Sequence, residues 1–213
     1  MTFRRVGRDG LLVEVTDTRT AQRVFAMVQA VVDRGELPAP DDVVPAARTV
    51  LLDGVDRRRW QERLTAWPSA PAGEVAAPER DSPGEIVRIP VAYDGPDLSE
   101  VALAWGCRPD EVAARHGAQT YTVAFCGFAP GFAYCVADGG AGSALPSVPR
   151  RDDPRTKVPA GAVGFAGEYC GVYPNEMPGG WQLVGTTDAV MFDPSRDRAA
   201  LLRPGNRVRF ETT

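Results

Sequence analysis

Between Phe125 and Trp181 the chain sets a few polar and aromatic side chains among closely spaced glycines and prolines. Gly127-Phe128-Ala129-Pro130-Gly131-Phe132-Ala133-Tyr134 places a Pro-Gly turn between aromatics. Gly131 can take a positive φ without a Cβ clash, so this turn can carry backbone N–H groups toward an oxyanion or phosphate. The competing reading is a plain β-turn with Phe128 and Phe132 in a core. Downstream, the segment from Arg150 to Gly161 gathers Arg150, Arg151, Arg155 and Lys157 beside a Pro-Ala-Gly turn. Guanidinium groups match carboxylate and phosphate through paired hydrogen bonds. Asp152 and Asp153 in the same run also allow an ordinary, self-neutralised solvated loop. The densest part of the pattern joins Gly171-Val172-Tyr173-Pro174 to Glu176-Met177-Pro178-Gly179-Gly180-Trp181-Gln182. There Gly179 and Gly180 permit close backbone approach and Trp181 offers a flat wall, although a hairpin around a core tryptophan uses the same residues.

His116 is the single histidine, and its ordinary pKa near neutrality makes it an acid–base candidate. It also ends a helical pattern just before Gly117, where a histidine serves the helix dipole or caps carbonyls. Glu168 and Glu176 are further candidate bases, with solvated turn residues as the alternative. Lys157 is the only lysine among 24 basic residues. The chain has no G-x-x-x-x-G-K-[ST] phosphate loop, no H-E-x-x-H zinc site and no G-x-S-x-G elbow. Cys107, Cys126, Cys135 and Cys170 form no C-x-x-C pair, so they read as buried thiols of a reducing compartment, and no metal site is expected.

These residues need a frame. Apolar runs at Leu11 to Val15 and Thr49 to Leu52 have strand character, while Thr20 to Arg34 sets Val24, Met27, Val28, Val31 and Val32 on a helical stripe. Arg57 to Trp67 suits a second helix, so the first eighty or so residues read as a small α+β sandwich. Pro68 to Gly84 is rich in Pro, Ala, Gly and charge, the composition of a linker, which divides the chain into domains 1–80 and 81–213. The second domain opens near Glu85 with a strand through Ile86, Val87, Ile89 and Val91. Helical patterns follow at Asp97 to Trp105 and Pro109 to His116, with Asp97 and Ser99 as N-terminal signals. Short β-rich runs then recur at Tyr121 to Phe125, Ala162 to Ala166, Gln182 to Gly185, Val190 to Phe192 and Arg207 to Phe210, the punctuation of a β-barrel or sandwich.

Composition limits the partners. A chain of 213 residues that is 44% hydrophobic can bury a substantial core, and a net charge of -4 argues against a nucleic-acid backbone as the main partner. The N-terminal segment lacks the apolar region of a secretory signal, and no apolar run reaches membrane-spanning length; the expected location is the cytoplasm, with no membrane association.

The order of the motifs resembles the 5-oxoprolinase B-subunit family, also called allophanate hydrolase subunit 1 or KipI-like. The resemblance is weak over Met1 to Pro68 and strong through Gly127 to Phe132, Pro154-Arg155, Val158-Pro159-Ala160-Gly161, Gly171 to Pro174 and Pro178 to Gly185. Phe192-Asp193-Pro194 and Leu201 to Phe210 extend it. It implies an α+β fold in which a small N-terminal domain precedes a cyclophilin-like β-barrel. It implies a partner like the 5-oxoprolinase C-subunit, a LamB/YcsF-like A-subunit, and ATP with Mg2+ as co-substrates in the hydrolysis of 5-oxo-L-proline to L-glutamate. Under that resemblance His116, Arg155 and Lys157 are the catalytic candidates. Pro130, Gly131, Phe132, Tyr173, Gly179, Gly180, Trp181 and Gln182 are the candidates for binding substrate or nucleotide. The alternative from the KipI-like relatives is a regulatory protein that inhibits a sensor histidine kinase. The chain departs from the family pattern at Glu168-Tyr169-Cys170, where relatives read Gly-Gln-Thr, and at Met177, where they often carry Ser.

Overall fold

The computed structural model describes residues 1–66, 86–138 and 145–213. The chain divides into two compact units, Met1–Pro83 and Gly84–Thr213. The linker read at Pro68 to Gly84, and Trp67 at the end of the second predicted helix, lie outside the described residues.

In the first unit, Leu11 and Val13 alternate toward a core that also takes Val50 and Leu52, as period-two strands require. These residues belong to β2 (Gly10–Glu14) and β4 (Thr49–Asp53). Two strands not read from the sequence flank them, β1 (Thr2–Val6) and β3 (Asp42–Pro45), giving an antiparallel sheet in the order β1-β2-β4-β3. As edge strands they turn few apolar side chains inward, so Thr-Phe-Arg-Arg-Val and Asp-Val-Val-Pro show little alternation. Helix α1 (Thr18–Asp33) starts where the Asp17 carboxylate accepts the Thr20 amide at 2.8 Å. Its Ala21, Val24, Val28 and Val31 are buried at three- to four-residue spacing, and Trp60 and Leu64 of α2 (Arg57–Thr65) join the same core.

The second unit begins with β5 (Val87–Val91) and α3 (Leu98–Trp105). A 3-10 turn (Pro109–Glu111) leads into α4 (Val112–Gly117). Then come β6 (Tyr121–Cys126), β7 (Ala133–Ala137), β8 (Arg155–Val158), β9 (Ala162–Ala166) and β10 (Tyr169–Val172). The last strands are β11 (Met177–Gly179), β12 (Gln182–Thr186) and β13 (Arg207–Thr212). Seven of them form one sheet in the order β12-β9-β10-β7-β6-β13-β5, antiparallel except for the β13–β5 pair. Ala92, just past β5, exchanges two 2.9 Å hydrogen bonds with Thr186 of β12, so the two ends of the sheet meet and the barrel is nearly closed.

The predicted strand at Val190 to Phe192 does not form. Only an isolated bridge joins Phe192 to Ala200, Val190 is exposed, and Met191 alone enters the core. That apolar triplet is a loop anchored at one side chain.

Alternation along the strands separates two cores. Val163, Phe165, Cys170, Val172 and Val184 face the barrel interior together with Ile89, Tyr121 and Phe210. Their neighbours turn to the outer face, where Ala162, Ala166, Leu183 and Tyr173 gather with Phe132 and Trp181. A separate ribbon, β8 paired with β11, contributes Val158 and Met177 to this outer cluster. Gly171 makes room for the indole: a Cβ there would stand 3.3 Å from Trp181 Cζ3 and 2.6 Å from the Ala133 carbonyl. Among the described residues no helix is long and apolar enough to cross a membrane.

Candidate functional site

The outer cluster is an aromatic wall centred on Phe132. Its ring meets Tyr173 and Trp181 edge-on, each at 5.2 Å between centroids, and leans on Tyr134 at 5.0 Å. Phe125 stacks on Tyr134 at 4.3 Å, and Tyr169 meets both edge-on. Such arrangements hold rings rigidly through quadrupole contacts as well as burial. The Gly127 to Phe132 turn closes through the Phe132 amide on the Ala129 carbonyl at 3.0 Å. Gly131 has φ +84, and a Cβ there would stand 2.7 Å from Phe192 Cβ, so both conformation and space require glycine. Pro130 is exposed beside it. The plain-turn reading holds in part: Phe132 is a core residue, whereas Phe128 is 66% exposed and sits at φ 74, a conformation uncommon for any residue but glycine. Among the described residues the amides of Phe128, Ala129 and Gly131 donate to no backbone acceptor.

At the rim of the wall lies a residue whose role the sequence concealed. Asp97 precedes α3, yet its side chain makes no helix-capping hydrogen bond. Its carboxylate is buried and accepts Arg155 Nη2 at 2.8 Å, Arg151 Nη1 at 3.2 Å and the Leu183 amide at 2.7 Å. The Asp97 amide in turn donates to the Leu183 carbonyl at 2.9 Å. Three more bonds lace the same segments together. Arg151 N donates to the Gly180 carbonyl at 2.9 Å, Gln182 Nε2 to the Pro149 carbonyl at 3.3 Å, and Arg155 Nη1 to the Trp181 carbonyl at 3.5 Å. The predicted neutralisation by Asp152 and Asp153 does not occur through their carboxylates: Arg151 Nε reaches only the Asp153 carbonyl, at 3.3 Å. The local pattern marks Asp97 only as a helix N-terminal signal, because the partners of its carboxylate lie 54 to 86 residues away. The one available hint was a surplus of arginines from 150 to 155 with no buried carboxylate nearby in sequence.

The structure thus brings together Pro130, Gly131, Phe132, Arg155, Tyr173, Gly179, Gly180, Trp181 and Gln182 around one wall and its rim. Gly179 lies against the Tyr173 ring, where a Cβ would overlap the hydroxyl. Burial pushes the Tyr173 hydroxyl up, opposed first by the Trp181 backbone amide and then by the Arg150 charge. Tyr134 is likewise raised by burial and pulled back by Arg150. Lys157 stands on the ribbon, 76% exposed, paired with Glu176 at 3.0 Å. Glu168 is exposed at the turn between β9 and β10.

His116 is elsewhere. It is fully buried in the barrel core, stacked on Phe210 at 4.4 Å, with Nδ1 hydrogen-bonded to the Tyr93 hydroxyl at 2.8 Å. Its Nε2 and the Tyr121 hydroxyl are buried without a partner among the described residues. Burial lowers its pKa to about 3, so it is neutral across the physiological range. The unfolded chain therefore takes up a proton near pH 6.5 while the folded one does not. Stability from this group is full above pH 6.5 and is lost as pH falls toward 3, by about 3 kcal/mol at pH 4. Urea unfolding at pH 7 and pH 4 should show this loss in the wild type and a smaller one in His116→Phe; equal pH dependence in both would contradict it.

Residues 1–202 match the family model of the carboxyltransferase domain, subdomain C and D. The chain is 36% identical over 222 residues to the 5-oxoprolinase B-subunit of Escherichia coli O157:H7, covering 96% of this chain and 93% of the relative. Among solved structures, TTHA0988 superposes with a TM-score of 0.72 at 33% identity, covering 97% of this chain. This chain spans 40% of the length of TTHA0988. The Kluyveromyces lactis urea amidolyase superposes with a TM-score of 0.67 at 20% identity, over 99% of this chain and 15% of that one, a likeness of fold alone.

Proposed function

The chain belongs to the 5-oxoprolinase B-subunit family, that of the carboxyltransferase domain, subdomain C and D, and from this premise we propose that it is one component of an ATP-dependent 5-oxoprolinase. The complex hydrolyses 5-oxo-L-proline to L-glutamate, with this chain supplying one side of the site and a C-subunit-like protein the other. A LamB/YcsF-like A-subunit completes the assembly. The observation that carries the reading is the 36% identity, over 96% of this chain and 93% of the relative, to the 5-oxoprolinase B-subunit of Escherichia coli O157:H7. The rigid aromatic wall with cations at its rim is compatible with it.

A lactam resists hydrolysis because its amide is resonance-stabilised; phosphoryl transfer to the amide oxygen would weaken that resonance and open the carbon to attack by water, the C–N bond then breaking with the nitrogen leaving as a protonated amine and phosphate being released. When bound, ATP and Mg2+ supply that transfer. This chain's residues hold and orient. Trp181 and Phe132 are buried and back the partly exposed Phe125, Tyr134 and Tyr169, whose rings are the apolar surface left for the small ring, and the amides of Phe128, Ala129 and Gly131 offer N–H groups where negative charge can be received. Arg155 is fixed by Asp97 at the rim, and Lys157, exposed but paired with Glu176, would have to leave that partner to reach a group brought by another subunit. Asp97 and Glu176 engage three of the four cations between 150 and 157, and the sequence has no G-x-x-x-x-G-K-[ST] phosphate loop, which suits a singly charged substrate better than a triphosphate. We therefore assign the nucleotide to a partner protein. Exposed Phe128, held in a strained conformation, is the apolar contact we assign to the C-subunit-like protein.

The test is reconstitution. The chain coexpressed with its C-subunit-like and LamB/YcsF-like partners should form glutamate from 5-oxo-L-proline only when ATP and Mg2+ are present. A complete, folded complex that forms none would overturn the assignment.

A further inference from the structure

The first unit has a cavity of its own, about 260 Å³, lined by Arg4, Arg5, Arg57 and Arg58 with Phe3, Leu11 and Gln61. Among the described residues no acidic side chain lines it. Strand register explains its place. Phe3 pairs with Val13 and Arg5 with Leu11, so Phe3 and Arg5 share the face on which Leu11 and Val13 meet the core under the helices. Across from them, Arg57, Arg58 and Gln61 stand on one side of the start of α2, at spacings of three and four residues, while Trp60 and Leu64 enter the core. The start of α2 is fastened to the turn between β1 and β2: the Val55 amide donates to the Asp9 carbonyl at 2.9 Å, and Arg57 Nη1 donates to the Arg8 carbonyl. The cations differ in how they are engaged. Arg4 turns to the opposite face of the strand and pairs with Glu14 at 2.6 Å. Arg58 meets Glu62 at 3.6 Å, with both side chains largely exposed. Arg5 and Arg57 pair with no carboxylate among the described residues. The Asp56 carboxylate is engaged at the helix start, where it accepts the Arg58 and Arg59 amides.

We propose that this cavity binds a small phosphate monoester, its phosphate between Arg5 and Arg57 and its organic part against Phe3. The inference is independent of the 5-oxoprolinase reading and concerns residues that the reading does not use. A guanidinium fork meets two phosphate oxygens with parallel hydrogen bonds. Two guanidinium groups without a carboxylate match the two negative charges of a monoester, whereas a single carboxylate would leave one of them uncompensated. Arginines around one cavity repel one another, and a bound dianion removes that repulsion. Arg57 is half-buried and already held by the Arg8 carbonyl, which leaves less of its side chain to be ordered on binding. Phe3 is half-buried at the edge of the core, so part of its ring is open to an apolar group, and the Gln61 amide can donate to or accept from a hydroxyl. The volume lies just under the range of about 300 to 1,000 Å³ that holds drug-sized ligands, which suits a small monoester rather than a nucleoside triphosphate.

The test titrates inorganic phosphate, phenyl phosphate and benzoate into the full chain by calorimetry. Phenyl phosphate should bind more tightly than inorganic phosphate, through Phe3, and at least about tenfold more tightly than benzoate, through the second charge. Arg5→Gln changes an exposed side chain with no ion pair, so thermal stability should not move. Its affinity for phenyl phosphate should fall by about 10- to 100-fold, the size expected for a charge-assisted hydrogen bond. Arg57→Lys keeps the charge and loses the fork, and should fall by less. Arg203→Gln, at an exposed arginine of the second unit, should bind as the wild type does. Amide chemical shifts of Phe3, Arg5 and Gln61 should move as phenyl phosphate is added. Absence of saturable phosphate or phenyl phosphate binding overturns the proposal. So does benzoate binding as tight as that of phenyl phosphate, or an equal loss in Arg5→Gln and Arg203→Gln, the mark of general charge attraction. Glutamate formation by the assembled complex enters none of these measurements, so the failure of this site and the failure of the 5-oxoprolinase reading are told apart.

Discussion

Asp97→Ala is expected to lower the stability of the barrel unit by about 3 to 5 kcal/mol, the cost of removing one partner of a buried ion pair. Two guanidinium groups would lose their shared counter-charge, and the Leu183 amide inside the barrel wall would lose its acceptor. Arg155 and Arg151 are only 22% and 31% exposed, so water replaces the lost carboxylate poorly. Asp97→Asn keeps an oxygen for the Leu183 amide but no charge, and its loss should fall between zero and that of alanine. Urea unfolding of the three proteins checks the order. An alanine variant within about 0.5 kcal/mol of wild type, the range of an ordinary surface change, would show that the knot carries no weight.

Trp181→Ala should have a comparable effect on stability, about 3 to 5 kcal/mol, for a different reason. The indole is buried against Phe132, Tyr134 and Tyr173 and against the surface cleared by Gly171, so its removal opens a cavity that a β-barrel face cannot close. Function should fall further than stability. The Trp181 carbonyl also accepts Arg155, so the rim shifts with the ring. In the complex, Trp181→Ala is expected to lose at least about tenfold in kcat/KM at a temperature where it remains folded. Trp181→Phe keeps an aromatic surface and should retain most of the stability. A folded alanine variant with wild-type kcat/KM would remove the wall from the site.

Where one face of an element meets a core and the other does not, its sequence reports it. The α1 stripe at Val24, Val28 and Val31 and the β9 run from Ala162 to Ala166 were readable from their apolar patterns, as was the succession of α+β and β-rich segments. The ribbon strands were not. Arg-Thr-Lys-Val turns only Val158 to the wall and Met-Pro-Gly carries no alternation, so neither β8 nor β11 has a period-two signature. In β10, Tyr-Cys-Gly-Val is packed on both faces, which erases the pattern from the other direction. Val190 to Phe192 had the composition of a strand but only one side chain with a place in the core.

The site was legible to the same degree. Glycine and aromatic spacing located the wall because those residue types are required where backbones and rings approach closely, as at Gly131 and Gly179. Residue chemistry alone drew attention to His116, whose titratable ring the structure encloses among Phe165, Tyr121 and Phe210, apart from the outer aromatic cluster. Asp97 was hidden because pairing decides its role: its arginine partners lie 54 and 58 residues away, and no local spacing records them.

The central claim, that the outer aromatic wall is this chain's share of the site, is tested most directly by amide hydrogen exchange on the assembled complex with and without 5-oxo-L-proline. Protection is predicted in the Gly127 to Phe132 turn and from Gly179 to Leu183. Protection confined to the barrel interior around His116, or to the first unit, would contradict it.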